Sequence, residues 1–250
     1  MLSAFTQRRK GFGPGFGRGL SPMKVIIATP TITKPYPCYL ASLEASIPSL
    51  EAAGWDHGTV FEIGSPYISH ARSKALRKAL DAGADAVVFI DHDLSWQPDA
   101  IARLLAVPDD VVSGTYRFKK EPEEYMGALV SHDNGTPVVR ADGCIEAHSI
   151  PAGFLKITRE GVNRFMRAWP ELLYGEACSP HIDLFNHGAH GGVWWGEDYA
   201  FARRWREKCG KIWLVPDLQI DHHTKDAAYC GNFHRFLLAQ PGGSDEKKAA

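Results

Sequence analysis

Asp91 and Asp93 stand one residue apart at the end of the run Asp85-Ala-Val-Val-Phe-Ile-Asp91-His92-Asp93, and so offer two hard oxygen ligands where an apolar segment stops. Such a pair suits a divalent cation that holds a diphosphate, provided a strand delivers it to the carboxyl edge of a sheet. Aspartates also form turns and cap helices. The uncharged stretch from Ala86 to Ile90 favours the first reading, because it predicts a central, buried strand.

Two carboxylates leave such a cation short of its roughly six ligands, so another protein group or bound phosphates must complete the shell. Asp221-His222-His223 offers an imidazole, although adjacent histidines also occur in hydrogen-bonded turns. A second cluster, Trp194-Trp195-Gly196-Glu197-Asp198, sets two acids at the start of a predicted helix, as dipole partners or as a general base. Its tryptophans present a flat apolar wall suited to a sugar ring. Arg72 has the fork geometry for a phosphate, and Lys119, Lys120 and Lys225 are loop cations for a leaving diphosphate; each also reads as a surface cation.

The elements that must position these groups alternate. Lys24 to Ala28 predicts a first buried strand broken by Thr29-Pro30, Cys38 to Ala53 a helix that Pro48 ends or kinks, and Gly58 to Ile63 a second strand. Ser65-Pro66 reads as a cap with proline at the first helical position of a helix that runs to Gly83. After the strand that ends at Asp91, Gln97-Pro98 opens a helix to about Ala106, and Val111 to Gly114 forms a further strand. This order predicts a parallel sheet over residues 23–117 with ligands at its carboxyl edge.

From Tyr125 the pattern changes to short extended pieces at 125–130, 137–141, 144–148 and 154–158, then a helix from Arg159 to about Trp169. A helix from about Glu197 to Cys209, with Phe201, Trp205 and Cys209 inward, and a strand from Lys211 to Val215 complete the chain. Residues 118–240 are therefore expected to form a mixed-sheet extension that supplies the second wall of a cleft.

The 250 residues suit one α/β domain, and 28 basic against 29 acidic residues give no electrostatic case for nucleic acid as a partner. Cys38, Cys144, Cys178, Cys209 and Cys230 include no Cys-x-x-Cys pair and predict reduced, mostly buried thiols. No apolar run approaches the roughly 18 residues of a membrane span, and the first twenty residues lack a signal-peptide core, so a cytoplasmic protein is expected. Residues 1–22 form a basic Gly/Phe-rich arm. Its Phe12 and Phe16 keep open a homo-oligomer contact or peripheral docking on anionic headgroups. Residues 241–250 read as a flexible tail.

Taken in order, Lys24-Val-Ile-Ile-Ala-Thr-Pro30, His70-Ala-Arg72-Ser, Phe89-Ile-Asp-His-Asp93-Leu-Ser-Trp-Gln-Pro98, Val112-Ser-Gly-Thr-Tyr116, Trp195-Gly-Glu-Asp198 and Pro216-Asp-Leu-Gln-Ile-Asp-His222 resemble the nucleotide-sugar-dependent glycosyltransferases of the GT-A fold. The resemblance covers about residues 23–231. It implies an α/β, Rossmann-like GT-A fold, a mostly parallel sheet with a mixed-sheet acceptor-side extension. It also implies a UDP-sugar donor, an acceptor hydroxyl, Mn²⁺ or Mg²⁺, and inversion at the anomeric carbon.

Residue by residue, the resemblance implies that Thr29, Pro30 and Arg72 lie against the nucleotide, with Glu62 as a base or ribose contact and His92 and Lys225 also on the donor side. Asp91 would approach the ribose and the metal's water shell, Asp93 would bind the metal directly, and His222 matches the late metal-binding histidine. Asp198 matches the acid that activates the acceptor, with Glu197 the fallback. Gly114, Tyr116, the loop Pro151-Ala152-Gly153-Phe154, Trp194 and Trp195 fall where substrates meet. One departure concerns the late motif, which commonly has glycine two positions after its histidine; this chain has Thr224.

Three other readings share parts of this pattern. A haloacid-dehalogenase-type phosphatase places Asp-x-Asp on its first strand and follows it with a small residue and Thr or Val, unlike Leu94-Ser95. A nucleotidyltransferase shares the metal logic, but residues 29–37 hold no glycine-rich phosphate loop. A non-catalytic nucleotide-sugar-binding protein would retain the metal site and transfer nothing.

Overall fold

The computed structural model describes residues 22–240; the N-terminal arm expected over residues 1–22, with Phe12 and Phe16, and the tail expected over 241–250 lie outside the described residues, apart from Pro22. The first half alternates as its pattern predicts: β1 (Met23–Thr31), α1 (Pro37–Ala52), β2 (Trp55–Ile63), α2 (Ile68–Asp81) and β3 (Ala86–Ile90). β4 (Leu94–Trp96), α3 (Ala100–Ala106) and β5 (Val111–Ser113) follow. β1 pairs in parallel with β2 on one side and β3 on the other.

All five residues of β3 are fully or almost fully buried, and they alternate between two apolar layers. Val87 and Phe89 pack with Ala75, Leu76 and Ala79 of α2, whereas Ala86, Val88 and Ile90 pack with Leu50 of α1 and Ile101 of α3. Helices therefore cover both faces of the sheet, which is why its strands read as continuous apolar runs.

The second half supplies β6 (Ala128–Leu129), β7 (Ile145–Ser149), β8 (Phe154–Thr158) and α4 (Arg159–Ala168). Two hairpins follow, β9 (Leu173–Glu176) with β10 (Ser179–Ile182) and β11 (Gly188–His190) with β12 (Val193–Trp195). α5 (Glu197–Lys208), β13 (Ile212–Leu214), β14 (Ile220–His223), β15 (Ala228–Tyr229) and α6 (Phe233–Ala239) complete it.

The main sheet has eight strands in the order β2-β1-β3-β8-β5-β13-β7-β6. Strands β2, β1, β3, β5 and β13 run one way, while β8 and β7 run against their neighbours. The second half is thus not an appended extension alone: β8 lies between β3 and β5, antiparallel to both. Its Phe154, Leu155 and Ile157 are buried on two faces, and the intervening Lys156 is buried too, donating to the carbonyl of Val107.

Local boundaries differ from expectation for physical reasons. β1 runs through Pro30, because its pairing with β3 ends at Ala28 while that with β2 continues to Thr31, so a missing N–H is tolerated. The cap at Ser65-Pro66 is not used. α2 starts at Ile68, and Ser65 Oγ donates to the carbonyl of Tyr67 instead (3.3 Å). α3 likewise begins at Ala100 rather than Gln97, after a turn in which Ala100 N–H donates to Gln97 O (3.0 Å). Cys144 and Cys209 are buried, but Cys178 and Cys230 are exposed, so the thiols are not mostly buried. No helix among the described residues is long and apolar enough to cross a membrane.

Candidate active site

The carboxyl ends of β1 and β3 open into a cleft of about 280 Å³ whose lining includes Thr31, Arg72, Asp91, Asp93, Glu197 and His222. Two structural devices converge there. The first is the N-terminal part of α2, whose Ala71 and Ala75 are small enough to seat that helix closely and bring Arg72 beneath the sheet edge.

Arg72 is 2% exposed and bonds two carboxylates, Asp91 Oδ1 at 2.8 Å and Glu197 Oε1 at 2.9 Å. Its guanidinium stands over the ring of Phe185 (5.2 Å), which packs edge-on against Phe89 of β3. Burial works against the charge, and Asp91 and Glu197 more than offset it, so the guanidinium is held above its ordinary range. Both terminal nitrogens are engaged by carboxylates; Nε is buried without a protein partner.

The second device is the antiparallel pairing of β4 with β14, in which His222 lies opposite Leu94 and the N–H of His223 donates to the carbonyl of Asp93 (2.8 Å). The late strand is thereby stitched onto the residue that follows the Asp-x-Asp turn. His222 Nε2 faces Asp93 Oδ2 at 3.8 Å, while its Nδ1 donates to the carbonyl of Arg117 at 2.8 Å. That bond leaves the lone pair on Nε2, the tautomer a metal ligand requires. Burial lowers the imidazole pKa, which also favours the neutral ring.

A carboxylate oxygen and an imidazole nitrogen directed at each other fit a manganese- or magnesium-type cation. Among the described residues no group of three or more His, Cys, Asp or Glu side chains is arranged to hold one. Further oxygen ligands, such as those of a bound diphosphate or water, would complete the shell of such a cation. The same Asp93 Oδ2 also accepts from Lys119, one of the loop cations expected to meet a leaving diphosphate.

The remaining candidates separate into groups. Gly153 accepts from Asp91 N–H (3.0 Å) and lies against Tyr116, which is 2% exposed and packs edge-on against His222 (4.9 Å). Burial raises the Tyr116 pKa well above its ordinary value, helped by Asp91. Gly114 is pressed against the Ile220 side chain, while Pro151 and Ala152 are buried and not part of the cleft lining. Pro30 and His92 line the cleft, His92 packing edge-on against Tyr36.

Thr29 is fully buried with its hydroxyl against Tyr39 (2.5 Å), beneath the cleft floor. Glu62 is held by Lys78 (2.6 Å) and Lys74 (3.6 Å), and like the exposed Lys225 it is not part of the cleft lining. In their place the cleft presents Thr31, whose buried hydroxyl has no protein partner, and the apolar Ile32 and Ile68. Their only sequence signal was position at a strand end and a helix start.

Glu197 and Asp198 occupy the first turn of α5, where the helix dipole favours acids. Glu197 turns into the cleft toward Arg72. Asp198 stands beside it, with Oδ1 accepting from the N–H of Tyr199 (2.8 Å). Burial, reinforced by Glu197, raises the Asp198 pKa to about 6. Trp194 is 70% exposed and Trp195 half-buried under Arg203, both on the β11–β12 hairpin that leads into α5.

No family profile matches the chain, and no curated protein matches it in sequence. Among solved structures it is similar to the protein A197 from STIV, with 15% identity, a TM-score of 0.50, and coverage of 84% of this chain and 94% of that one. It is also similar to the catalytic domain of Drosophila beta1,4galactosyltransferase 7 in complex with xylobiose, with 13% identity, a TM-score of 0.44, and coverage of 83% and 70%. A third likeness is to GalNAc-T7 with UDP, GalNAc and Mn²⁺, with 11% identity, a TM-score of 0.48, and coverage of 80% and 44%. The likeness to A197 is one of fold: a mixed α/β chain built around a large central sheet.

Proposed function

We propose that this chain is a glycosyltransferase that moves a sugar from a nucleoside-diphosphate donor, UDP-sugar by its motif resemblance, to an acceptor hydroxyl. The observation that carries the reading is the facing pair Asp93 Oδ2 and His222 Nε2, in the same cleft as the Asp91-Arg72-Glu197 bridge. A phosphatase of the Asp-x-Asp type needs a free nucleophilic carboxylate. Here the Asp91 carboxylate is tied through Oδ1 to the Arg72 guanidinium (2.8 Å).

In this reading Asp93 and His222 hold Mn²⁺ or Mg²⁺. When bound, the cation supplies positive charge to offset that developing on the leaving diphosphate. Arg72 holds Asp91 and Glu197 in place, a positioning role rather than a phosphate contact. Thr31, with its unpartnered hydroxyl, and Ile32 and Ile68, with their apolar surface, meet the nucleoside. Asp198, with Oδ2 outside the Tyr199 bond, takes the proton from the acceptor hydroxyl, and attack from the opposite face inverts the anomeric carbon.

A thermal-shift panel of UDP-, GDP- and dTDP-sugars, with and without Mn²⁺, tests the reading. A ligand at a hundred times its dissociation constant stabilises by about 2.7 kcal/mol, so Mn²⁺-dependent stabilisation by one class is the expected result. No shift with any nucleotide would overturn it. Release of UDP in the presence of acceptor then separates transfer from binding alone.

A further inference from the structure

Asp93 Oδ2 is the acceptor of the Lys119 ammonium and also the oxygen that faces His222 Nε2. The Asp93 and His222 side chains are largely buried, at 13% exposure each, whereas Lys119 is an exposed residue with 32% of its side chain in solvent. Lys119 follows Arg117 by two positions, and the carbonyl of Arg117 is the group that orients His222. Arg117 itself is fastened to the carbonyl of Cys230 (3.0 Å) and to Glu121 (2.8 Å). One short segment thus fixes the imidazole through its backbone and reaches the carboxylate through a flexible side chain.

We infer that Lys119 and a divalent cation compete for this one oxygen, so that nucleoside diphosphate and cation bind cooperatively. The inference rests on the metal site proposed above. Two positive charges on one carboxylate oxygen repel each other, so a cation between Asp93 and His222 must displace the ammonium. A diphosphate in the cleft gives the displaced ammonium a new anionic partner. By linkage, a nucleotide that draws Lys119 away raises the affinity for the cation, and the cation raises the affinity for the nucleotide by the same factor.

Calorimetry on the full chain tests this without reference to turnover, with Mn²⁺ alone, UDP alone, and Mn²⁺ in the presence of UDP as titrants. Lys119→Met is expected to bind Mn²⁺ alone more tightly than wild type, on the order of tenfold for a pair of this exposure. The gain in Mn²⁺ affinity that UDP confers should shrink by a similar factor. Lys208→Met, which removes a cation that stands over the Trp169 ring near the end of α5, should change neither quantity. Should Lys119→Met melt early, Lys119→Gln keeps a donor without the charge and replaces it. If wild type binds Mn²⁺ and neither Lys119 variant binds it more tightly, the competition is refuted while the metal site stands. If no form binds Mn²⁺ even with UDP, the metal site itself fails and the competition falls with it.

Discussion

His222 Nε2 stands 3.8 Å from Asp93 Oδ2 because the backbone of the next residue, His223, is hydrogen-bonded to the carbonyl of Asp93. The two side chains are neighbours by strand pairing rather than by loop packing, which makes their spacing a property of the sheet.

Removing either member of that pair should therefore weaken Mn²⁺ binding sharply. Asp93→Ala and His222→Ala are each expected to lose more than the roughly ten- to hundredfold typical of groups that only support a ligand. His223→Ala should leave the affinity within about twofold, since its Nε2 bonds Ser95 Oγ (2.8 Å) on another side. Calorimetry in the presence of UDP checks all three. Equal losses at His222 and His223 would contradict the assignment.

The raised pKa of Asp198 predicts a pH profile. A general base must be deprotonated, so transfer should rise with pH through about 6, the value to which burial and Glu197 bring this carboxyl. Asp198→Asn should lose about a hundred- to ten-thousand-fold in rate and retain UDP binding. A rate that shows no limb near pH 6 and survives in Asp198→Asn, but collapses in Glu197→Gln, would transfer the role to Glu197.

The same shift has a stability consequence of opposite sense to that of a salt-bridged acid. The folded pKa lies above the unfolded value near 3.9, so the folded state binds more protons between about pH 4 and 6. Stability is then lost as pH rises through that window. Asp198→Asn should be more stable than wild type by about 1–2 kcal/mol at pH 7.5 and no more stable at pH 3.5. Urea denaturation at the two pH values measures the difference.

Arg72 should be less forgiving than a surface arginine. Truncating it to Met leaves Asp91 and Glu197 facing each other with no cation between them, and loss of one partner of a buried pair costs about 3–5 kcal/mol. Arg72→Lys cannot span both carboxylates with one nitrogen and should recover only part of that loss. Chemical denaturation of the two variants decides; near-wild-type stability in Arg72→Met would show that the bridge contributes little.

At Gly153 a Cβ would lie 2.5 Å from Asp91 Oδ2 and closer still to the Tyr116 hydroxyl. Gly153→Ala should displace Asp91 and cost about 1–3 kcal/mol. Adding Tyr116→Phe removes the closest atom, so the double variant should recover part of the loss, a coupling readable from a double-mutant cycle. Strict additivity would mean that the two residues do not share the space.

Much of the local pattern was legible in the chain. The apolar run before Asp91 and the span Phe154 to Thr158 became β3 and β8 as written, because burial on both faces leaves β3 no polar position and β8 only Lys156 and the terminal Thr158 to blur the pattern. The placement of β8 between β3 and β5 was not legible, since strand order depends on pairing partners that a single strand does not encode. For the same reason Arg72 read as a phosphate fork: its partner Glu197 is 125 positions away. Thr29 and Thr31 were equally polar to a sequence reader, and only the strand's continuation through Pro30 shows which one reaches the cleft.

His222 and His223 are adjacent on β14 and so occupy opposite faces of its pleat. Their chemistry is the same; the register with β4 alone distinguishes them. A slip of one residue would exchange them, presenting His223 to Asp93 and turning His222 away. The identity of the imidazole in the cleft is thus decided by the alignment of two short strands, and an insertion or deletion between Pro216 and Ile220 that shifts the frame would convert a site histidine into a bystander without altering either one.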